Sequence, residues 1–189
     1  MHAVKVLHDL LAPRQLGFGV PHGMEAAIHA SRIYLCSLQP DQVLMKVDFK
    51  NAFNSVCRDK MMLAVKEFIP ELFPFVHSVY CDSSSLMWGD EVVESAEGVQ
   101  QGNPLGPLLF CLSIHKMGVK LMSELEVFYI DDGTLGGNWE DVVSDMKMIK
   151  EKARDLGLLL NRSKTELIIM FGSHDQGVCF VQFSWGLRH

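Results

Sequence analysis

The spacing of apolar positions changes several times along this chain, and each change marks a predicted element. Residues 24 to 37 carry Ala27, Ile28, Ile33 and Leu35 without a breaker, which predicts a helix ending before Pro40. From Val43 the period drops to two: Val43, Met45 and Val47 share one face of a strand, and Leu44, Lys46 and Asp48 the other. So apolar a strand is expected to be buried over most of its surface, with Asp48 near its end. Residues 58 to 80 return to helical spacing, with Met62, Val65, Phe68 and Ile69 on one side. Pro70 and Pro74 each remove a backbone donor there, so two helical pieces are expected.

Leu86-Met87-Trp88 and Glu91-Val92-Val93-Glu94, joined by Gly89-Asp90, predict a hairpin. After it, Asn103 is a candidate N-cap and Pro104 a candidate first helical residue, followed by a buried stripe of Leu105, Leu108, Leu109 and Leu112. Glu126 to Asp131 predicts a strand, Asp132-Gly133 a tight turn, and Thr134-Leu135-Gly136 the returning strand. The cleanest amphipathic pattern comes next: Val142, Met146, Ile149, Ala153 and Leu156 recur at helical spacing, and Gly157 stops the helix as a left-handed cap. Leu158 to Leu160 and Thr165 to Phe171 close the pattern as short strands.

Helices and strands mixed in this order, with repeated hairpins, predict an α+β fold with helices on one face of an antiparallel sheet. No repeat or low-complexity linker divides the chain, so one continuous unit is expected. Its longest apolar stretches, such as Pro107 to Leu112, are far shorter than the roughly 18 residues a bilayer span requires, so no membrane partner is expected. The first residues lack the basic segment and apolar run of a secretory signal, and the expected location is intracellular, nucleus or cytoplasm alike. Cys36, Cys57, Cys81, Cys111 and Cys179 are scattered without a Cys-x-x-Cys pair, which argues against a zinc cage or disulfide framework and for small buried hydrophobes. A net charge of -6 is the wrong sign for a protein that binds nucleic acid by neutralising phosphates. Metal ions covering some carboxylates would reconcile the two, and so would basic segments lying outside this chain.

The candidate chemistry is carboxylate. Taken alone, Asp131-Asp132-Gly133 is ordinary turn composition, and Asp48 an ordinary solvated strand end. Yet adjacent carboxylates at the end of an apolar strand repel each other, and a hard divalent cation such as Mg²⁺ relieves that repulsion. Two neighbouring strands ending together would bring Asp48 to the same edge. Such a cluster suits a pair of metal ions and phosphoryl transfer. Other chemistries fare poorly: Ser173-His174-Asp175 are contiguous and cannot face one another as a triad. The glycines from Gly133 to Gly137 lack the Lys-Ser/Thr of a phosphate loop.

Four ordered blocks carry a resemblance. They are Val47-Asp48-Phe49-Lys50-Asn51-Ala52-Phe53, with an aromatic five residues after Asp48, then Gly98-Val99-Gln100-Gln101-Gly102-Asn103-Pro104-Leu105-Gly106-Pro107. Phe128-Tyr129-Ile130-Asp131-Asp132 and Gly157-Leu158-Leu159-Leu160-Asn161-Arg162-Ser163-Lys164-Thr165-Glu166 follow. Together they resemble the reverse transcriptases of retrotransposons lacking long terminal repeats. The resemblance implies an α+β polymerase palm with an antiparallel sheet and packed helices. It divides the chain into a residual fingers segment (1–45), a palm with a fingers insertion (46–171) and a C-terminal tail (172–189), with fingers partial and thumb absent.

It further implies RNA-directed DNA synthesis, with an RNA template, a DNA primer and deoxynucleoside triphosphates as partners, and with a thumb or other element-encoded domains supplied from elsewhere. Two Mg²⁺ ions, or Mn²⁺, would sit at Asp48, Asp131 and Asp132. Asp48 and Asp131 are the implied direct ligands, and Asp132 acts at one remove or on one ion. Phe53 would set its ring against the sugar and exclude a 2′-hydroxyl, unless it is a plain core phenylalanine. Gln101 and Gly102 would track the nucleotide and template, unless Gln101 is simply a polar loop residue. Lys164 would clamp the triphosphate or donate a proton to the leaving group, against the alternative of an exposed strand-end lysine. Tyr129 would pack under the turn or touch the primer, while Arg14 and Arg32 are candidate phosphate contacts or solvated surface. Two classes stay open: an active polymerase core, or a truncated, non-catalytic retroelement remnant that at most binds. A polymerase making RNA is disfavoured by Phe53.

Overall fold

The strand with the strongest alternation lies at the centre of the sheet. The computed structural model describes residues 2–100, 102–171 and 179–184. Its helices are α1 (His2–Leu11), α2 (Gly23–Cys36), α3 (Ala52–Ser55), α4 (Arg58–Phe68), α5 (Phe73–Tyr80), α6 (Gly106–His115) and α7 (Trp139–Asp155). Its strands are β1 (Gln42–Val47), β2 (Ser84–Trp88), β3 (Glu91–Ser95), β4 (Leu125–Tyr129), β5 (Asp132–Asn138), β6 (Glu166–Phe171) and β7 (Cys179–Ser184). Five strands pair in the order β4-β5-β1-β6-β7, all antiparallel, while β2 and β3 form a separate two-stranded hairpin. The architecture is thus the α+β, palm-like arrangement that the alternation of periods predicts.

Period two in β1 puts Val43, Met45 and Val47 against the main core, which also holds Leu135 of β5, Val142, Met146 and Ile149 of α7, Met61 and Val65 of α4, and Leu108, Leu109 and Leu112 of α6. Each such side chain contributes about 1.5–3 kcal/mol of transfer free energy when fully buried. Leu44 and Lys46 face the other way, into a groove of about 400 Å³ walled by α2. A helix therefore lies over each face of the sheet, rather than one face alone.

Several boundaries differ from the sequence reading. Helix α6 starts at Gly106, not at Pro104: Asn103 Oδ1 accepts the Leu105 N–H at 2.9 Å in a local turn, and the first-turn proline is Pro107. The stripe of residues 58 to 69 keeps Val65 and Ile69 buried and Phe68 packed on the core, but its first position is Met61 rather than Met62. The β4–β5 turn is Ile130-Asp131; Asp132 already belongs to β5 and pairs with Tyr129. Strand β5 continues through Gly136 and Gly137 because neighbours press on it: a Cβ on Gly136 would lie 2.5 Å from the Tyr34 ring. Leu158 to Leu160 makes only a single bridge, Leu160 to Phe49. Residues 179–184, expected as tail, form β7, and α1 precedes any element read from the pattern. Ser173-His174-Asp175 lies outside the described residues. Of the four cysteines whose side chains are described only Cys111 is buried; Cys36 and Cys81 are exposed, because their helix and loop positions face solvent rather than the core.

Candidate functional site

Strand register decides where the acidic residues stand. The β1–β5 ladder ends at Val47 opposite Gly133, so the next residues outward are Asp48 on one strand and Asp132 on the other. Asp131 sits one residue further along, in the two-residue turn between Tyr129 and Asp132. Distant parts of the sequence thus meet at one edge of the sheet, as the two apolar strands predict.

The turn itself is unusual. Ile130, its first residue, has φ 57°, in the left-handed region that β-branched side chains avoid, while Asp131 is not left-handed. A positive φ at the first position alone is the pattern of a type II′ hairpin, in which that place normally takes glycine. Buried Gln15 holds Ile130 on both sides: its Oε1 accepts the Ile130 N–H at 2.7 Å, and its Nε2 donates to the Ile130 carbonyl at 3.0 Å. The segment carrying Gln15 lies parallel to β4, with the Leu16 N–H donating to the Phe128 carbonyl at 2.8 Å.

Burial raises the pKa of Asp131 above the ordinary carboxylate range. A backbone hydrogen bond works against that rise, the negative charges of Asp132 and Asp48 reinforce it, and the Lys164 ammonium again opposes it. The charges of Asp132, Asp48 and Lys164 therefore all reach Asp131. Lys164 is largely exposed, with its Nζ 4.0 Å from Asp48 Oδ2. Its backbone is fixed by Asn161, whose N–H donates to the Asp48 carbonyl at 2.8 Å and whose own carbonyl accepts the Lys164 and Thr165 N–H groups. Ser163 Oγ donates to Asn161 Oδ1 at 2.8 Å, which closes the turn. Among the described residues, no three His, Cys, Asp or Glu side chains converge closely enough to hold a metal ion by themselves.

Phe53, on α3, is partly buried and stacks on the fully buried Phe110 with ring centroids 4.8 Å apart and planes 12° from parallel. One face is therefore anchored while part of the side chain stays accessible. Gly102 is exposed at φ 87°, a conformation glycine adopts freely, and nothing lies within 4 Å of a Cβ placed there. Gln101 lies outside the described residues. The loop on either side of it is pinned by the buried Tyr80 hydroxyl, which accepts the Gln100 N–H at 3.2 Å and Asn103 Nδ2 at 2.9 Å. Tyr129, Arg32, Lys46, Thr134 and Asp132 line the groove beside the turn. Arg14 is paired with Glu126 instead of standing free for a phosphate. Gln15 and Asn161 were not singled out from the sequence. Asn161 had a local signal, an Asn two residues before a Ser in a predicted turn; Gln15 had none.

The family model described as reverse transcriptase (RNA-dependent DNA polymerase) matches residues 2–181. Among solved structures, apo telomerase from Candida tropicalis matches with a TM-score of 0.64 at 12% identity, over 89% of this chain and 36% of that one. The same telomerase truncated from its C-terminal domain matches with a TM-score of 0.64 at 13% identity, over 99% of this chain and 40% of that one. Telomerase from Candida tropicalis in complex with the TWJ fragment of telomeric RNA gives 0.63 at 12% identity, over 98% and 33%. At such identities the shared property is the fold, and the chain spans well under half of each of these telomerase chains. No curated protein sequence matches the chain.

Proposed function

The chain belongs to the reverse transcriptase (RNA-dependent DNA polymerase) family, and from that premise we propose that it is the palm core of a polymerase that joins deoxynucleotides to a primer 3′-hydroxyl on an RNA template. The observation that carries the reading is the convergence of Asp48 and Asp131, each at the end of an apolar strand, on one sheet edge where their charges interact. Their hard oxygen atoms and mutual repulsion suit Mg²⁺, with Mn²⁺ as the alternative ion. Mg²⁺ typically uses one or two protein carboxylates and completes its shell with water and substrate phosphates, and Asp48 and Asp131 would be those carboxylates. When bound as a pair, such ions lower the pKa of the attacking hydroxyl and neutralise charge on the leaving pyrophosphate.

The other residues bind and orient. Lys164, exposed beside Asp48, presents an ammonium where a triphosphate would approach. Phe53, its ring braced on Phe110, bars a 2′-hydroxyl and so selects deoxynucleotides. Gly102 lets the backbone approach a nucleotide closely, and Gln101 beside it contributes an amide. The groove beside the turn offers Arg32 and Tyr129 to a nucleic-acid strand, with Lys46 there already paired with Glu166 at 3.5 Å, and Arg32 supplies local positive charge in a chain of net charge -6. The telomerase neighbour in complex with a fragment of telomeric RNA supports an RNA partner, and the block order supports an origin in a retrotransposon without long terminal repeats.

The test is primer extension by the full chain on an RNA template with and without Mg²⁺, using deoxynucleotides and then ribonucleotides. The expected result is Mg²⁺-dependent incorporation of deoxynucleotides, with Phe53→Val relaxing the exclusion of ribonucleotides by roughly tenfold or more, about 1.4 kcal/mol of discrimination. Failure of the wild type to extend any primer would favour the non-catalytic remnant.

A further inference from the structure

A β-branched residue in left-handed conformation at the apex of an acidic turn needs something to keep it there. Three features of the N-terminal segment converge on that residue. The backbone of residues 14–16 runs parallel to β4, bonded through the Arg14 carbonyl to the Phe128 N–H and through the Leu16 N–H to the Phe128 carbonyl. Gln15 then extends this ladder with its side chain, satisfying the N–H and carbonyl of Ile130 together. Its Oε1 also accepts the Gly17 N–H at 2.9 Å, so the oxygen takes two bonds and the nitrogen gives one. The orientation of the amide is dictated by these partners, since the flipped form would set its NH₂ group against two N–H donors. Gly17 completes the fit: a Cβ there would stand 2.4 Å from Ile130 Cγ1 and 2.5 Å from the Ile130 nitrogen, so only glycine lets the segment lie against the turn.

We propose that Gln15 is a positioning residue for the acidic turn: its side-chain amide, brought close by Gly17, holds Ile130 in left-handed conformation and thereby aims Asp131 at the edge it shares with Asp48. The proposal rests on the polymerase reading for its consequence but not for its geometry. Gln15 touches no reacting atom and works through the Ile130 backbone. It also ties the segment between α1 and α2 to the turn, adding to the two backbone bonds that join that segment to Phe128.

The experiment measures hydrogen exchange at individual backbone amides in the full-length chain, for wild type, Gln15→Met and Gln15→Glu, together with kcat and KM for nucleotide. Wild type is expected to protect the Ile130 and Gly17 amides. Gln15→Met, of similar length and without the polar atoms, is expected to speed exchange at those two amides at least about tenfold while the β1–β5 ladder stays protected. It should also lower kcat by up to about a hundredfold with little change in KM, the effect of displacing a reacting group by about an ångström. Gln15→Glu keeps the acceptor for both N–H groups but loses the donor to the Ile130 carbonyl, and is expected to fall between wild type and Gln15→Met in protection and in kcat. Unchanged exchange at Ile130 in Gln15→Met would overturn the proposal, and so would loss of protection spread evenly over the sheet. Should Gln15→Met not fold, Gln15→Asn, one methylene too short to reach both Ile130 groups, takes its place, and unchanged exchange at Ile130 in that variant would overturn it equally. Because exchange is read without turnover, a wild type that protects Ile130 but extends no primer would refute the polymerase reading and leave the clamp intact.

Discussion

Two of the molecule's hairpins turn by opposite means. The β2–β3 hairpin turns through Gly89-Asp90 with the glycine at φ 61°, where the absence of a Cβ makes left-handed backbone cheap. Its strands stand largely exposed, with Leu86, Met87, Val92 and Val93 all open to solvent. The β4–β5 hairpin turns through Ile130-Asp131 with a β-branched residue in similar backbone, and a buried glutamine from elsewhere in the chain holds it. A turn that only reverses the chain uses the residue that fits. A turn that has to hold a carboxylate beside two others takes its conformation from its surroundings, and strain of this sort collects at functional sites.

The contrast can be sharpened by substitution. The largest effect is expected at the acidic edge: Asp48→Asn should cut nucleotide incorporation by about a thousandfold or more, because charge stabilisation of the transition state is lost. Steady-state primer extension, with circular dichroism as the check on folding, measures it. Next come the two glycines that border the hairpins. Gly17→Ala places a methyl group into the Ile130 backbone and should cost about 3 kcal/mol, the upper end of overpacking penalties. Gly89→Ala meets open space and pays only for its φ, about 1 kcal/mol. Urea denaturation of both variants would reverse the comparison if Gly89→Ala proved the more damaging.

The smallest effect is electrostatic. Because the pKa of Asp131 is raised in the folded state, its carboxyl favours folding when protonated, and that contribution is lost as pH rises through the folded-state value. Asp131→Asn should therefore melt slightly above wild type at neutral pH, by about a degree or two, and the difference should shrink as pH falls towards the ordinary carboxylate range. Melting curves across that range, recorded without divalent metal, check it.

What the sequence disclosed divides along physical lines. Helix α7 and strand β1 were legible because each places apolar residues at a single period against one core, so Val142, Met146 and Ile149, or Val43, Met45 and Val47, announce their face. The β4–β5 turn was displaced by two residues because Asp132-Gly133 is favoured turn composition. Gly133 serves instead to admit the Phe128 ring, as Gly136 in the same strand admits Tyr34. Asp48, Asp131 and Asp132 could be expected at one edge from two apolar strands with acidic ends. The Lys164 turn beside Asp48 needed the backbone bond from Asn161 to be seen. Gln15 was invisible, since a side chain that bonds to backbone far along the chain leaves no periodicity and no local motif.

The most direct test of the account compares Asp131→Asn with Asp90→Asn, the acidic residues of the two hairpin turns, in Mg²⁺-dependent extension of a primer on an RNA template. The account predicts incorporation by wild type and Asp90→Asn alike and a loss of at least about a thousandfold in Asp131→Asn, with all three proteins folded. Equal incorporation by wild type and Asp131→Asn would contradict it.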